Sequence, residues 1–585
     1  MLILGINGSP NLVHENKFGI EESVCHDAAA ALLVNGNLVS AMEEERLNRI
    51  KHTNKFPLMA VRACLKHHAV SIHEIDCFSF GSSEQTLDQM LSGHYENKGI
   101  AYPGAYRFVQ QLLEEQFNAR IDVDKIELFE HHYVHAVTAF YPSGFEDALV
   151  LTIDGSGGEY SGTVYEGNGY DLGLLRTFSI EQSLGHFYLY ITFLLGFGFF
   201  DEYKVMGLAP YGNAKTYQKF FEEFYTLLPD GNYELYTKKA ALLKEIIPSA
   251  ALGFSQVHMD IAASLQDTLE KIVFHIVRHF KSLTGRSKLC MAGGVALNCT
   301  LNGKLLKSGL FKDVFVYPGA NDSGLPVGSA LAAYYKRCNN PKRSPFKNIY
   351  LGRELGYAET IVKELDQWKE LIRFERVENI AKKAAELLAG DKVIGWVQGR
   401  SEFAPRALGN RSILADPRPA KNKKRINSMV KKREDFRPFA PSVLEEYERE
   451  YFELPDNASN LSYMTFILTV REQYRKELGA ITHVDGTARV QTVSKKSNPE
   501  YWDLINYFRE ITGTAMVLNT SFNNNAEPIV DSTYDAIVSF LTTRLDFLII
   551  GNYLIEKSEF FTDNLEQLHV SLPRHIALKR QDKGS

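Results

Sequence analysis

Residues 148–155 read Ala-Leu-Val-Leu-Thr-Ile-Asp-Gly, an apolar run that ends at an acidic residue and a glycine. A short apolar run bounded by a turn signal predicts a buried strand that ends near Asp154-Gly155. Two more apolar runs, residues 162–165 and 172–175, flank Gly167-Asn168-Gly169 and predict a hairpin after that strand. The stretch therefore predicts a strand, an acidic turn and a hairpin in succession.

A similar unit stands at the N-terminus of the sequence. Residues 2–6 form an apolar run that ends at Asn7-Gly8, and the apolar runs 28–34 and 38–42 are joined by Asn35-Gly36. Asn-Gly between two apolar runs is a strong hairpin signal. The repeated order indicates an internal duplication in an α/β protein, although such turns are common in that fold class and two unrelated units are the alternative.

The rest of the chain alternates helical and strand patterns. Periodicity predicts helices over residues 59–67, 106–117 and 259–282. The apolar run 187–200 is too short to span a membrane and predicts a buried helix. Residues 338–348 contain two prolines and predict a linker, after which the pattern restarts. The sequence thus predicts two parts that divide near residue 350.

Composition limits the classes of function. The 585 residues are 45% hydrophobic and 23% charged, which is ordinary for a folded protein with more than one domain. A net charge of −6 argues against general binding of nucleic acids or membranes, although residues 399–437 hold twelve Lys or Arg against four Asp or Glu. The six cysteines form no Cys-x-x-Cys pair and no signal peptide is recognised, so a reduced, cytoplasmic protein is expected.

Histidines and aspartates provide a candidate metal site. In Glu130-His131-His132-Tyr133-Val134-His135-Ala136, His131 and His135 are four residues apart and share one face of a helix. Asp154 and Asp322 each follow an apolar strand, where side chains reach the crevice at the carboxyl ends of strands. The four could hold Zn or Fe and leave positions for a substrate oxygen. The alternatives are a helix that merely contains histidines and Asp-Gly turns without ligands.

Two further motifs in the first half suit ligand chemistry. Gly293-Gly294-Val295-Ala296-Leu297-Asn298 follows a predicted strand and opens a helix, so its backbone amides form a candidate nucleotide site. This signal is weaker than a full phosphate-binding fingerprint. His26-Asp27 pairs an imidazole with a carboxylate and is a candidate general base. The charged run 43–49, before Lys51-His52, is predicted to be a solvated helix face.

The second half contains a dense set of basic and polar residues. Guanidinium forks, hydroxyls and amides suit the oxygens of a phosphate group. An RNA-binding patch is one alternative, and a basic surface helix is another for residues 421–425. The mixture with proline, glycine and aromatic residues favours a concave site for the others. The candidates are Arg406, Arg411, Lys431, Lys432, Arg433, Arg437, Arg489, Asn519, Ser521 and Asn523.

Taken in order, these motifs resemble those of the O-carbamoyltransferases of the nodulation and antibiotic-biosynthesis type, the NodU/CmcH family. The resemblance covers essentially the whole chain. The matching stretches in the first half are residues 26–30, 43–46, 130–132, 202–209, 293–298 and 321–324. Those in the second half are residues 405–412, 437–441, 488–491 and 519–523.

The resemblance implies two α/β domains and two half-reactions. Residues 1–350 are expected to form a duplicated, actin-like (ASKHA) domain similar to the metal-binding domain of tRNA threonylcarbamoyl transferases. Residues 351–585 are expected to form a YrdC-like domain that makes carbamoyladenylate from carbamoyl phosphate and ATP, with Mg²⁺. In the first domain Fe²⁺, or another divalent metal, would then hold the nucleotide while a hydroxyl of a small-molecule acceptor attacks the carbamoyl carbon. Homodimers are common in this family.

The family's functional residues carry over to matching positions of this sequence. His26 matches the residue that assists deprotonation of the acceptor, and Lys51 a basic residue near the phosphates or the acceptor. The metal set matches His131, His135, Asp154 and Asp322. The nucleotide contacts of the transfer domain match Lys204, Gly293, Gly294 and Asn298. The carbamoyl phosphate and ATP contacts match Arg406, Arg411, Lys431, Arg433, Arg437, Arg489, Asn519, Ser521 and Asn523.

The acceptor itself is left open by the sequence. Residues 9–25 separate the first strand from the His-Asp pair, whereas family members often run almost directly from one to the other. This segment is expected near the acceptor side, as a pocket wall or only a longer loop. A tRNA-modification protein of the threonylcarbamoyladenosine type is the main alternative function, and the net charge of −6 argues against it. Thiol carbamoylation in hydrogenase maturation and an actin-like ATPase or sugar kinase explain less of the chain.

Overall fold

The computed structural model describes residues 1–12, 25–250, 253–431, 434–456 and 458–559 of the chain. Most of the long segment 9–25 therefore lies outside the described residues. The same holds for Arg433 and for the side chain of Lys431, both predicted to contact phosphate.

The N-terminal region forms a five-stranded mixed sheet. Its strands are β1 (Leu2–Asn7), β2 (Ala29–Val34), β3 (Asn37–Glu43), β4 (Cys77–Phe80) and β5 (Ile126–Leu128). The order across the sheet is β3-β2-β1-β4-β5. The pairs β1–β2 and β2–β3 are antiparallel, whereas β4 is parallel to both β1 and β5. The hairpin predicted at Asn35-Gly36 is the β2–β3 connection.

A second sheet repeats this topology. Its strands β6, β7 and β8 are followed by a separate two-stranded ribbon, β9 and β10, and then by β11 and β12. The order β8-β7-β6-β11-β12 has two antiparallel pairs and then two parallel pairs, as in the first sheet. The predicted duplication is therefore present in the fold. The bounds are β6 (Asp147–Gly157), β7 (Tyr160–Asn168), β8 (Asp171–Ser179), β9 (Tyr225–Leu227), β10 (Tyr233–Leu235), β11 (Lys288–Ala292) and β12 (Asp313–Val316).

Two helices pack against each other between these sheets. The helices of the first half are α1 (Glu44–Asn48), α2 (Leu58–His67), α3 (Glu84–Asn97), α4 (Ala105–Phe117), α5 (His131–Ser143), α6 (Leu184–Leu194), α7 (Glu202–Leu208), α8 (Gln218–Phe221), α9 (Gln256–Thr284), α10 (Cys299–Lys307) and α11 (Leu325–Arg337). Helix α5 packs on β6 and β11, and α11 packs on β1, β2 and β4. Their mutual contact is so close that a Cβ on Gly328 would lie 2.4 Å from the carbonyl oxygen of Val134.

The second half is built on an eight-stranded mixed sheet. Its strand order is β13-β23-β22-β14-β15-β21-β16-β20, and β17-β18-β19 form a smaller sheet. The strands are β13 (Ile372–Arg376), β14 (Ile394–Val397), β15 (Arg411–Ala415), β16 (Ala440–Leu444), β17 (Phe452–Glu453), β18 (Ile467–Val470), β19 (Thr487–Arg489), β20 (Gln491–Val493), β21 (Met516–Ser521), β22 (Phe547–Ile550) and β23 (Tyr553–Lys557). The helices are α12 (Ala358–Asp366), α13 (Ile380–Ala389), α14 (Lys421–Ile426), α15 (Glu448–Tyr451), α16 (Pro499–Thr512) and α17 (Thr533–Leu541).

The predicted α/β class is confirmed, and three local predictions are corrected. Strand β6 does not end at Asp154 but continues to Gly157, with its pairing to β7 interrupted after Ile153. The apolar run 187–200 is helical only as far as Leu194, and Phe199 is 49% exposed. The charged run 43–49 is not a solvated face, because Glu43, Glu44 and Arg46 are buried.

The buried charges of the run 43–49 have structural partners. The Glu44 carboxylate accepts from the backbone N–H of Ala60 at the start of α2 (2.7 Å), and Arg46 pairs with Glu43 at 2.8 Å. Arg46 also donates to the carbonyl of Ala404 in the second half (2.6 Å). This segment therefore connects the two halves. Among the described residues, no helix combines the length and the apolar character that a membrane crossing requires.

The contact between α5 and α11 can be tested with one methyl group. Gly328→Ala places a Cβ about 2 Å from Thr138 Oγ1, in the most closely packed part of the interface. We expect it to lower the free energy of unfolding by about 1–3 kcal/mol, the usual cost of overpacking. Gly93→Ala in α3 is the control, because no atom lies within 4 Å of its Cβ. Denaturant unfolding of both variants is the measurement, and equal midpoints would contradict the packing argument.

Candidate metal centre and anion-binding cavity

Helix α5, strand β6 and the turn before α11 bring the predicted metal ligands together. The helix begins at His131, where the Glu130 side chain caps it by accepting from the backbone N–H groups of His132 and Tyr133. His135 Nε2 lies 3.2 Å from Asp154 Oδ2 and 3.4 Å from Asp322 Oδ1. His131 Nε2 lies 3.9 Å and 3.8 Å from the same two oxygen atoms. All four residues predicted from the sequence thus meet at one point.

The chemistry of this cluster fits a divalent metal ion. One ligand atom from each residue lies within 4.8 Å of the other three. His131 Nε2, His135 Nε2 and Asp154 Oδ2 are buried and have no hydrogen-bond partner. Buried polar atoms without partners are costly, and a mixed set of imidazoles and carboxylates is typical of Zn²⁺ and Fe²⁺ sites.

The third histidine of α5 points away from the cluster. His132 Nδ1 lies 3.1 Å from Thr152 Oγ1, and its Nε2 lies 3.0 Å from the carbonyl oxygen of Tyr160. Burial first, and then the nearby His131 and His135, lower the pKa of His132 to about 3. His132 is therefore a neutral structural residue that holds α5 on the second sheet.

The metal-free cluster retains a proton. Burial alone would lower the pKa of His135, but its contacts with Asp154 and Asp322 outweigh burial and raise the pKa to about 9. Burial would raise the pKa of Asp154, whereas His131 and His135 hold it well below its ordinary value. A metal ligand must be a neutral imidazole, so an incoming cation has to displace this proton.

A second group of imidazoles and carboxylates lies beside the first. His26 Nδ1 lies 3.0 Å from Asp27 Oδ2, and His52 Nδ1 lies 2.8 Å from Asp27 Oδ1. His26 Nε2 is 4.0 Å from Asp322 Oδ2, so the predicted base faces the candidate metal centre. Burial lowers the pKa of His26, but Asp322 and Asp27 raise it to about 10 in the metal-free protein. A cation held by Asp322 would oppose that effect and favour the neutral base.

The glycine motif after β11 packs directly on the strand that carries Asp154. Gly293 has a φ of +88°, and a Cβ there would lie 2.3 Å from the carbonyl oxygen of Ile153. A Cβ on Gly294 would lie 3.1 Å from Asp154 Oδ1. The Asn298 side chain caps α10 by accepting from the backbone N–H of Leu301 (3.0 Å) and also donates to Gln266. Gly294 and Asn298 line the cavity described below, but the Asn298 amide already has protein partners.

Three arginines of the second half converge on the same cavity. Burial and then the positive charges of Arg489 and Arg437 lower the pKa of Arg406 to about 9. The Nε atom of Arg489 is buried without a hydrogen-bond partner. Among the described residues, no carboxylate forms an ion pair with Arg406 or Arg489. Two guanidinium groups in one cavity, neither of them with a carboxylate partner among the described residues, indicate a pocket for an anion.

Amide and hydroxyl groups of β21 and the loop after it border these arginines. The Asn519 amide donates to Ser442 Oγ and Gln491 Oε1, both at 3.0 Å, while its Oδ1 is buried without a partner. Ser521 Oγ donates to Asn523 Oδ1 at 2.7 Å. All three of the predicted polar residues, Asn519, Ser521 and Asn523, line the cavity.

Two predicted ligand residues lie elsewhere. Arg411 is fully buried, and its guanidinium donates to the carbonyl groups of Asp531, Gln398, Asn410, Arg353 and Gly399. The Arg411 guanidinium thus binds backbone carbonyl groups. The sequence had predicted that it would contact a phosphate instead. Lys204 pairs with Asp201 at 2.8 Å and lies 3.7 Å from Glu434 of the second half, and it does not line the cavity.

One cavity of about 650 Å³ contains both the metal cluster and the arginines. Its walls include His131, Asp154 and Asp322 of the first half and Arg406 and Arg489 of the second. Further lining residues are His26, Lys51, His52, Phe200, Tyr203, Cys299 and Arg437. Residues from both halves of the chain therefore line one cavity.

Sequence reasoning missed several residues that shape this cavity. Glu402 accepts from the backbone N–H groups of Leu408, Asn410 and Arg411 through one oxygen and so fixes the loop that carries Arg406. Asn321 donates to Asp27 at 2.6 Å. His52 was visible beside Lys51, but only the fold places it against Asp27. No sequence signal identifies Glu402, because its partners are backbone groups.

Comparison with known proteins gives consistent matches over most of the chain. Family models described as "Carbamoyltransferase N-terminus" and "Carbamoyltransferase C-terminus" match residues 16–331 and 385–557. The nodulation protein NolNO of Sinorhizobium fredii is 48% identical over 99% of this chain and 86% of its own length. The nodulation protein NolO of Bradyrhizobium diazoefficiens is 52% identical over 77% of this chain and 83% of its own length. A 3'-hydroxymethylcephem-O-carbamoyltransferase of Streptomyces clavuligerus is 31% identical over 60% of this chain and 64% of its own length.

Metal binding is expected to release a proton. The raised pKa of His135, about 9, favours its protonated form at pH 7.5, so Zn²⁺ binding should release at least one proton, and the apparent affinity should fall about tenfold or more per pH unit below 9. Calorimetric titration in buffers of different ionisation enthalpy measures this release. His135→Ala should abolish tight binding, whereas His73→Asn, at an exposed histidine outside the cluster, should retain it. Binding without proton release, or equal loss in both variants, would contradict the assignment.

Proposed function

The chain belongs to the carbamoyltransferase family, and from that premise we propose that it makes carbamoyladenylate and transfers the carbamoyl group to a hydroxyl of a small molecule. It is an enzyme of the transferase class that carries out O-carbamoylation. The proposal concerns the substrates of activation, the residues that act and the metal. The observation that carries it is the shared cavity. It is lined by Arg406 and Arg489, which form no ion pair among the described residues, and by the metal-ligand residues His131, Asp154 and Asp322.

Activation of the carbamoyl group is assigned to the second half. Arg406, Arg437 and Arg489 would hold the phosphate oxygens of carbamoyl phosphate and of Mg²⁺-ATP, with Asn519 and Ser521 donating or accepting beside them. One water molecule is consumed: it releases phosphate from carbamoyl phosphate, and an oxygen of the resulting carbamate attacks the α-phosphorus of ATP and displaces pyrophosphate. The products would be carbamoyladenylate, phosphate and pyrophosphate. A hydroxyl is a weak nucleophile, so the carbamoyl group needs activation before transfer. With AMP as the leaving group, binding of the adenosine part can also orient the reacting carbon.

Transfer is assigned to the first half. The acceptor oxygen attacks the carbamoyl carbon, the bond from that carbon to the AMP phosphate breaks, and AMP leaves. His26 Nε2 takes the hydroxyl proton, and Lys51 contributes positive charge at the cavity wall. His131, His135, Asp154 and Asp322 would hold a divalent ion, proposed to be Fe²⁺, which supplies positive charge for the phosphate of the adenylate.

The fold supports this division of labour. The first sheet has the strand order β3-β2-β1-β4-β5, and the second has the corresponding order β8-β7-β6-β11-β12. This repeated topology fits the proposed actin-like domain over residues 1–350. The eight-stranded mixed sheet uses only strands from Ile372 onward, which fits a YrdC-like domain over residues 351–585. Residues 338–348 follow the end of α11 and contain no helix or strand. They fit the predicted linker.

Carbamoyladenylate is the species that tests the proposal. The protein is incubated with ATP, carbamoyl phosphate, Mg²⁺ and Fe²⁺ under anaerobic conditions, and the mixture is analysed by mass spectrometry. We expect a mass corresponding to carbamoyladenylate that depends on both substrates. Its absence over a range of metals and pH values would refute the mechanism.

Two variants should separate the half-reactions. Arg489→Ala removes one of the unpaired guanidinium groups, so adenylate formation is expected to fall at least a hundredfold, about the loss seen when a group that stabilises transition-state charge is removed. His131→Ala should leave adenylate formation within about threefold and abolish transfer. Arg418→Ala is the matched control, since Arg418 pairs with Asp416 and does not line the cavity. Loss of the same step in Arg489→Ala and His131→Ala would overturn the assignment.

A further inference from the structure

We propose that His52 is a positioning residue for carbamoyl transfer, which acts by holding the Asp27 carboxylate against His26. The inference rests on the proposed function, because it concerns the base assigned to the transfer step. His52 would not touch the reacting atoms. Its role would be to fix the orientation and the proton arrangement of the imidazole that does.

The contacts around Asp27 carry the first part of this inference. A carboxylate only accepts hydrogen bonds, so the Nδ1 atoms of His26 and His52 must both donate, at 3.0 Å and 2.8 Å. Each imidazole uses a different oxygen of the carboxylate. The Asn321 amide donates to the oxygen that His26 also uses, at 2.6 Å. His52 therefore fixes the side of Asp27 that His26 and Asn321 leave open.

The consequence for His26 is a defined tautomer. With its proton on Nδ1, the neutral ring presents Nε2 as the basic atom, and this atom faces the metal centre. In catalytic pairs of this kind the carboxylate sets the tautomer and the ring orientation and is not itself the base. If the Asp27 carboxylate rotated, its contact with His26 Nδ1 would weaken, and His26 Nε2 would no longer be held facing the metal centre.

Phe200 supports both imidazoles. Its ring stacks on that of His52 with centroids 4.1 Å apart and an angle of 16° between the planes. The same ring meets His26 edge to face at 5.1 Å. The two histidines are thus held by one carboxylate on one side and one aromatic ring on the other.

The backbone at these positions is strained. Asp27, His52 and Phe200 have φ values of +53°, +52° and +62°, a region that residues other than glycine rarely adopt. Such residues carry a conformational cost and concentrate at functional sites. His52 contacts both Asp27 and Phe200, so three of these residues meet in one cluster, which indicates that the arrangement is maintained against a local cost.

The arrangement is also tied to the metal ligands. The Asn7 amide donates to the carbonyl groups of His26, Asp27 and Asp322, at 3.2, 3.3 and 3.1 Å. Asn321, which donates to the Asp27 carboxylate, directly precedes Asp322 in the chain. The base and one metal ligand therefore share their supports, so a correctly placed His26 depends on the same segments as a correctly placed Asp322.

Isosteric variants of His52 can test the proposal. In His52→Asn the side-chain amide can replace the Nδ1 donor, and asparagine tolerates positive φ better than most residues. In His52→Gln the amide lies nearer the position of Nε2, and in His52→Ala both are lost. A positioning role requires Nδ1, so His52→Asn should retain transfer, whereas His52→Gln and His52→Ala should lose it.

The measurement separates the two half-reactions. Adenylate formation is followed by mass spectrometry, and transfer is followed to 3'-hydroxymethylcephem and to methyl glucoside as hydroxyl-bearing probes. We expect adenylate formation within about threefold of wild type in all variants. The transfer kcat should fall about a hundredfold in His52→Gln and His52→Ala, with the acceptor KM unchanged, and by less than about fivefold in His52→Asn.

Other results would overturn the role of His52. Retention in His52→Gln with loss in His52→Asn would mean a direct contact through Nε2, and a change in acceptor KM alone would mean acceptor binding. Wild-type transfer in His52→Ala would remove any role. Parallel loss of adenylate formation would mean a general structural effect.

A structural readout keeps the inference independent of the proposed function. If the wild-type protein forms no carbamoyladenylate, or transfers to neither probe, crystal structures of the three variants still test the contact. The His26 Nδ1–Asp27 Oδ2 distance should stay near 3.0 Å in His52→Asn and increase in His52→Ala. An unchanged distance in His52→Ala would refute the positioning role, whatever the reaction is.

Discussion

The contact between α5 and α11 is the constraint on which the site depends. Helix α5 carries His131 and His135, and α11 begins directly after the turn that carries Asp322. The two helices approach so closely at Gly328 and Val134 that no side chain fits between them. Each helix also packs on one of the two repeated sheets. This interface therefore sets the distance between the imidazoles of His131 and His135 and the carboxylate of Asp322. That distance must be short if the three residues are to bind the same ion.

Much of this could be predicted from the sequence, because it depends on short-range patterns. The four-residue spacing of His131 and His135 is enough to place both on one side of a helix. Aspartates that follow apolar strands often line the ligand crevice of α/β sheets, and both Asp154 and Asp322 line the cavity, although β6 continues past Asp154 and Asp322 lies in the turn before α11. The duplication was visible in two strand, turn and hairpin units, and the repeated strand order confirms it.

The residues that could not be predicted depend on contacts distant in the chain. Arg411 belongs to a basic, glycine-containing motif that suits phosphate, yet its five acceptors are carbonyl groups from residues 353, 398, 399, 410 and 531. The run 43–49 looks solvated because its residues are charged, but their partners are in α2 and in the second half. Charge in a sequence predicts exposure only when no buried partner exists, and the partner is not visible in the local sequence.

The charges that line the cavity bear on where an adenylate would bind. Arg406 and Arg489 attract a phosphate. Asp154, Asp322 and Asp27 line the same cavity and would repel it, although protonated His135 and His26 offset part of their charge when no metal ion is bound. A divalent ion on the cluster would cancel the charges of Asp154 and Asp322, and Lys51 would add a positive charge nearby. A divalent ion that takes the place of the His135 proton would raise the net charge of the cluster by one unit, so the cluster suits an anionic intermediate better with a metal ion than without one.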